Sequence, residues 1–356
     1  MSRTARTLLM PVLALATALL TACGSSAEQP IGHASYDCTK PNRGSSPTKV
    51  SVSALPTVSN GALYAGVKKG FFAANGLDVK IQPVASHAAS LAAVQGGTSN
   101  FAFTNSVALF QAIGNGVPLR IVAPFAGIAP GYYDKMKAGV PGYQTEISAI
   151  VVNGNSGITR PKDLTGKTVA LIDVQGQSEL TTRYVIDHDG GDSSKVKFVN
   201  LSLADGANAL SARKVDAAYT ADPFLSKLQT AGAKVISWPG VETFHEGPTS
   251  AIVSSASYIT ANRETVARFN CGVRQSAAYA NAHHKEIRAV VAAEQKVDPA
   301  TLANAVVAHF YDYADIAGLN RFKKIMLDYK FLDQDFAIDD VVVPEAVRPD
   351  DHSAGK

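Results

Sequence analysis

Five short stretches of the chain gather small hydrogen-bonding side chains just ahead of sequence that reads as helix: Ser59-Asn60, Ser86-His87, Thr104-Asn105-Ser106, Gln175-Gly176-Gln177-Ser178 and Thr220-Ala221-Asp222-Pro223-Phe224. Ser, Thr, Asn and Asp all suit helix N-caps, so any single instance reads as a local cap. A helix that opens from the carboxyl end of a strand also presents unpaired N–H groups and a positive dipole end, which suit a polar or anionic ligand. Repetition favours the second reading, in which the turns converge on one cleft and Ser59, Asn60, Ser86, His87, Thr104, Asn105, Ser106, Gln175, Gln177, Ser178 and Asp222 touch a ligand. His87 reads equally as a neighbour of a cap or as a ligand donor. Asp222 reads as an N-cap, but a carboxylate facing the cleft would oppose a pure anion and favour a ligand that also carries an amine or N–H group. None of these turns carries Arg or Lys, which disfavours a bare inorganic ion such as nitrate or sulfate. Tyr132, Tyr133, Phe224 and Phe244 read either as the wall of an aromatic site or as core and rim packing.

Other chemistry lacks its signatures. No GxGxxG, P-loop, HExxH or GxSxG occurs, so dinucleotide, nucleotide, zinc-protease and serine-hydrolase readings have no motif to rest on. The acidic run Asp187–Asp192 resembles part of a calcium loop, but Phe198 stands where the closing glutamate is needed; a helix stop followed by an Asp cap explains it better. His283 and His284 are adjacent on an expected helix and therefore point apart, unlike metal ligands spaced four residues apart. No metal and no cofactor is expected.

The chain has 356 residues, 46% hydrophobic and 18% charged, enough for two domains with proper cores. Its formal charge of +3 includes Arg3 and Arg6, and a near-neutral chain lacks the basic stripe that nucleic acid requires. Arg3 and Arg6 precede the apolar run Leu8–Leu20, too short to span a membrane but right for the h-region of a secretory signal. Leu20-Thr21-Ala22-Cys23 follows and looks like a bacterial lipobox, so residues 1–22 are expected to be a lipoprotein signal peptide and Cys23 the lipidated N-terminus. That places the protein outside the cytoplasm, held on the outer face of the cell membrane by lipid. Cys38 and Cys271 then form an even pair in an oxidising compartment and read as a disulfide, with two buried free thiols as the alternative.

The elements that must position these residues follow from periodicity. Residues 23–47 contain the Gly/Ser/Pro-rich stretch of a flexible tether. Structure begins at Lys49–Leu55, where valines alternate with serines, and continues as strands at 78–84 and 119–125 with helices between, the pattern of a parallel α/β sheet. After a Gly/Tyr-rich loop over 127–143, strand 147–153 opens a second alternating run through about residue 237. Strand 250–255 resembles 147–153, and the remainder reads as helices. Two similar crossing strands imply that the second domain is inserted into the first, giving 48–150 with 251–356 as one lobe and 151–250 as the other. A tandem arrangement is the alternative.

Gly70–Val79 (GFFAANGLDV), Ala92–Gly97 (AAVQGG) and Asp163–Ala170 (DLTGKTVA) resemble, in order, the extracytoplasmic solute-binding proteins of ABC importers for nitrate, sulfonates, taurine and thiamine-pyrimidine precursors. The resemblance covers roughly residues 48–260. Thr98-Ser99-Asn100 stands where an aspartate is common in that family, a conservative change in a turn. The resemblance implies a two-lobed, type II periplasmic-binding-protein clamp that closes about the strands near 147–153 and 251–255. It implies a monomer that binds a small molecule, partners a permease and an ATPase, and is not an enzyme. The ligand expected is a small organic acid or heterocycle such as a sulfonate, an aromatic carboxylate or a thiamine-type pyrimidine. The alternatives are an inorganic anion such as nitrate, a thiamine-pyrimidine synthase of the same fold, and a lipoprotein for adhesion or sensing.

Overall fold

Val50 and Val52 alternate with Ser51 and Ser53 as the sequence pattern requires, yet Ser53 is as buried as the valines. Its hydroxyl is satisfied inside, 3.0 Å from the Ser90 hydroxyl, so the strand is covered on both faces, as in a sheet with helices on either side. The structure, a computed structural model, describes residues 36–41, 46–143 and 147–348. The expected signal peptide, the Cys23 lipidation site and most of the expected tether lie outside the described residues.

The first sheet is built from β1 (Thr48–Ala54), β2 (Leu77–Pro83), β3 (Phe101–Asn105) and β4 (Leu119–Pro124), interleaved with helices α1 (Gly61–Lys69), α2 (Phe71–Ala74), α3 (His87–Gln95) and α4 (Ser106–Gly114). Gly70 stops α1 with a left-handed φ of 79°, a conformation that costs a glycine nothing. A short strand β5 (Ala126–Ile128) and α5 (Tyr132–Lys137) lead to the second sheet. There β6 (Ser148–Val152), β7 (Thr168–Leu171), β8 (Lys197–Asn200), β9 (Ala217–Ala221) and β10 (Lys234–Ser237) alternate with α6 (Gln177–His188), α7 (Leu203–Ser211) and α8 (Phe224–Thr230). The chain returns through α9 (Pro239–Phe244), β11 (Gly247–Pro248) and β12 (Ser250–Ser255), then ends in α10 (Ala256–Ala261), α11 (Arg263–Ala282), α12 (His284–Gln295), β13 (His309–Phe310) and α13 (Ile316–Asp328).

The first sheet runs β2-β1-β3-β12-β4 and the second β10-β6-β9-β7-β8. In the first, β1 pairs parallel with β2 and β3, and β12 runs antiparallel between β3 and β4. In the second, β7 pairs parallel with β8 and β9, while β6 is antiparallel to β9 and β10. Each of the strands expected to cross between lobes therefore belongs to one sheet: β6, which straddles the expected boundary at residue 150, lies wholly in the second, and β12 is central in the first. Their apolar runs reflect burial on both faces and not a passage between lobes. The passage is made by shorter pieces. β5 pairs antiparallel with β11 and with β13, so the outgoing and returning connections meet at Gly127 and Gly247. A Cβ at Gly127 would sit 2.1 Å from the Gly247 carbonyl oxygen, and only glycine permits that approach.

The acidic run behaves as a stop and a cap: α6 ends at His188, Gly190 takes φ 85°, and the Asp192 carboxylate accepts from Ser194 N. The two adjacent histidines do not share a helix. His283 lies at the break between α11 and α12, where its ring stacks on Tyr279 at 3.9 Å. Phe244 is buried against Phe322, with centroids 4.4 Å apart, and Phe224 packs on the core of the second sheet. Those two rings are therefore core packing. Cys38 and Cys271 are joined as a disulfide that ties the tail to α11, with Cα atoms 5.5 Å apart.

Candidate functional site

Because β1, β2 and β3 are parallel and in register, with Ala54 opposite Pro83 and Ser53 opposite Ala102, the turns that follow them share one edge of the first sheet. Ser59 and Asn60 follow β1, Ser86 and His87 follow β2, and Thr104, Asn105 and Ser106 close β3. The turns touch: Asn105 N donates to His87 Nδ1 at 3.3 Å. His87 also lies against Phe103, 5.6 Å between ring centroids, and burial holds its imidazole down at about 4. The ring is neutral at physiological pH, and its Nδ1 is already an acceptor to the backbone. Asn60 is fully buried. Its Nδ2 donates to Leu55 O at 2.7 Å, which fixes the amide and leaves Oδ1 buried with no partner among the described residues.

The second sheet presents the matching edge. Gln175, in a left-handed conformation at φ 63°, donates its N–H to Glu179 Oε2 at 2.8 Å, and the buried Glu179 pairs with Arg183 at 2.6 Å. Gln177 and Ser178 open α6. Gln177 Oε1 and Thr220 Oγ1 are buried without a partner among the described residues. Asp222 follows β9 and accepts from the backbone and hydroxyl of Ser226 at 3.1 and 2.6 Å; the N-cap of α8 is Pro223, so Asp222 caps the first turn from one residue ahead of the position expected of it.

The expectation that these helix starts offer free N–H groups is corrected in part. Asp173, which sequence reasoning missed, turns its carboxylate onto the start of α6, accepting from Gln177 N at 3.1 Å and Ser178 N at 2.9 Å, and from the Ser178 hydroxyl. Burial raises its carboxyl group, while the Ser178 and Gln177 donors pull it back down. In the first sheet Ser86 Oγ accepts from Ala89 N at 3.1 Å, Asn105 Oδ1 from Ala108 N at 2.8 Å, and Thr249 O from Ser106 N at 3.0 Å. The physical reason is proximity: a cap residue on the turn reaches its own helix before any ligand can. A carboxylate within a turn of the strand end was the available signal for Asp173.

The two edges face each other across the lobe boundary. Gln111 Nε2 of α4 donates to Gln175 O at 3.0 Å, and Leu180 of α6 is buried among the core residues of the first sheet. On the flank Tyr184 of α6 lies 6.3 Å from Tyr329. Burial, and then the nearby Asp187 carboxylate, push the Tyr329 hydroxyl far above its ordinary value. None of Gln111, Tyr184 and Tyr329 carries a local motif, because each acts across the boundary. Of the two cavities described, one of about 450 Å³ beside the disulfide and one of about 300 Å³ behind β5, neither is lined by the expected ligand residues. The arrangement supplies neutral hydrogen-bonding groups and two carboxylates at the ends of parallel strands, suited to reversible capture of a small solute.

The family model described as NMT1/THI5 like matches residues 59–130 and 137–287. The chain belongs to the NMT1/THI5-like family. No curated protein sequence matches it significantly. Among solved structures, this NMT1/THI5-like chain is similar to the alkanesulfonate-binding protein SsuA of Xanthomonas axonopodis pv. citri bound to MOPS, at 17% identity and TM-score 0.64, covering 83% of this chain and 98% of that one. It is similar to the periplasmic aliphatic sulphonate-binding protein SsuA of Escherichia coli, at 15% identity and TM-score 0.66, covering 85% and 99%. It is also similar to the desulfurization enzyme DSZB, at 16% identity and TM-score 0.58, covering 84% and 97%. These likenesses establish the two-lobed periplasmic-binding-protein fold, which binding proteins and an enzyme share.

Proposed function

We propose that the protein is the extracytoplasmic solute-binding component of an ABC importer, which captures one small organic molecule between its lobes and delivers it to a permease driven by an ATPase. The observation that carries this reading is the meeting of the two carboxyl edges, with Gln111 and Gln175 bonded across them. Motion at the β5–β11 connection would open the cleft, as a clamp requires. The leader and the Leu20–Cys23 lipobox support export, a lipid anchor at Cys23 and delivery as a monomer at the membrane surface. In this reading the lobes part at the β5–β11 pair, residues 48–124 with 250–348 carrying the first sheet and residues 148–237 the second.

The ligand class proposed is a small organic acid or heterocycle: a sulfonate, an aromatic carboxylate or a thiamine-type pyrimidine. The Asp173 and Asp222 carboxylates at the second-lobe edge weigh against a bare anion and favour a solute with an N–H or amine group. The test is thermal-shift and calorimetric screening of the chain without its leader. One member of these classes is expected to raise the melting temperature with unit stoichiometry, and Gln177→Ala with Asp222→Ala to weaken it at least tenfold. Binding only of nitrate, a metal or a sugar would overturn the ligand class. Turnover of the bound compound by the purified protein would overturn the transport reading. Incorporation of a clickable fatty acid into the native protein but not into Cys23→Ala checks the anchor.

A further inference from the structure

The cavity of about 300 Å³ behind β5 is lined by none of the residues expected at the strand edges just described. Its walls are apolar: Ile128 of β5, Ile147 ahead of β6, Val307 and Ala308 ahead of β13, and Tyr132 of α5, whose ring meets Tyr143 edge-on at 5.0 Å. Its polar lining includes the imidazoles of His284, which opens α12, and His309 of β13, besides the phenol groups of Tyr132 and Tyr143, the latter accepting from Lys135 Nζ at 3.3 Å. Asn281 also borders it, but both ends of its amide are taken by the Phe310 backbone, at 2.8 and 2.9 Å. Tyr132 falls in the break between the two matched segments of the family model, and Val307, Ala308 and His309 lie beyond its end. The other lining residues fall within the matched segments, apart from Val306.

We propose that this cavity is a second small-molecule site, which takes a flat, uncharged aromatic molecule bearing one hydroxyl, of which phenol is the simplest. Its volume is at the small end of ligand sites and leaves room for one ring with its hydroxyl. Partial desolvation holds both imidazoles below their ordinary value, with Arg288 adding to the effect at His284 and the Asp312 carboxylate opposing it at His309, which favours the uncharged rings at neutral pH. A neutral imidazole offers one donor and one acceptor, which complement a hydroxyl that is also both. Arg288 donates to Ala305 O at 3.4 Å and is not one of the cavity's lining residues, so a carboxylate would be desolvated against apolar walls without a cation in contact. Gly127 and Ile128 border the cavity and also pair with the returning connection at β11, so an occupant would touch the place where the lobes are joined.

The site stands whether or not the cleft takes a solute, and its test is separate. Phenol and benzoate are titrated by calorimetry into the chain without its leader, with ligand-observed NMR to confirm contact. Phenol is expected to saturate at unit stoichiometry and more tightly than any benzoate binding that Val307→Trp removes. Val307→Trp, which fills the cavity, is expected to weaken phenol at least tenfold, and His284→Ala with His309→Ala at least fivefold, while Gln177→Ala leaves it unchanged. Should Val307→Trp fail to fold by circular dichroism, His284→Trp, placed at the exposed mouth, is expected to give the same loss. Absence of saturable phenol binding, benzoate binding that is tighter than phenol and is lost with Val307→Trp, undiminished phenol binding after the cavity is filled, or a loss with Gln177→Ala would each overturn the proposal.

Discussion

At the scale of single residues, His87 has the most consequence for stability. Its Nδ1 accepts from Asn105 N, and an imidazolium has no acceptor to offer, so protonation breaks the link between the β2 and β3 turns. Burial holds the folded value at about 4, against 6.5 for an ordinary imidazole. A base with a depressed folded value is protonated first in the unfolded chain. Its stabilising effect is therefore complete above about pH 6.5 and drains away as pH falls towards 4. Between pH 7.5 and 5 the loss should be about 2 kcal/mol. Urea denaturation across that range should show this decline in the native chain and a flatter profile in His87→Gln. Asp173 and Glu242, raised by burial, act in the opposite direction and are common to both proteins, so the difference isolates His87. Equal slopes would show that the imidazole is not held neutral. The sequence made His87 visible as a polar residue ahead of a helix, but which of its two readings applies depended on the approach of Asn105, eighteen residues away.

At the scale of elements, helix contacts are governed by small residues whose role the sequence did not announce. Gly272 of α11 lies against Phe72 so closely that a Cβ would be 2.4 Å from the ring. That ring is stacked on Phe269 at 5.3 Å, which in turn stacks on Phe101 at 3.9 Å, and it has no room to withdraw. Gly272→Ala should therefore destabilise the protein by about 1–3 kcal/mol, overpacking outweighing the better helix propensity of alanine. Gly206 of α7 is the control: the nearest atom to its Cβ would be Ala170 Cβ at an ordinary 3.6 Å. Gly206→Ala should stabilise by about 0.5–1 kcal/mol. Denaturation midpoints moving in the same direction for both would refute this account of α11. Element identity itself was legible wherever a period or a stop was present, as in β1, or in α1 ending at Gly70. The three-stranded ribbon of β5, β11 and β13 was not, because strands of two or three residues carry no period and exist only through their partners.

At the scale of the whole molecule, the Cys38–Cys271 disulfide connects residues 233 apart in sequence, and the cavity beside it is bordered by Tyr36, Arg274 and Tyr313. Tyr36 OH donates to Asn75 Oδ1 at 3.1 Å and Arg268 stands over the Tyr36 ring at 5.4 Å, so the tail is seated as well as bonded. Removing a cross-link that closes so long a loop should cost roughly 2–5 kcal/mol. Cys271→Ser is expected to lower the denaturation midpoint accordingly. Titration of the native chain without its leader, denatured but unreduced, should find no free thiol, and two would remove the bridge.

What the sequence alone determined is what local chemistry determines. Alternating periods gave strands and helices in α/β order, small polar residues gave caps at Ser86 and Asn105, and motifs from Gly70 to Ala170 gave the resemblance to solute-binding proteins. Each of these depends on residues within a turn or two of one another, where spacing fixes which groups can meet. The tertiary structure decided how hydrogen bonds are allocated and where the lobes join. It turned Asp173 onto the start of α6, brought Gln111 to Gln175 and Leu180 to the other lobe's core, and moved the connection from β6 and β12 to the β5–β11 pair. It also closed a cavity from Ile128, His284 and His309. Those contacts join distant stretches, and no local window records them, because a partner's identity depends on which surfaces the packed sheets bring together.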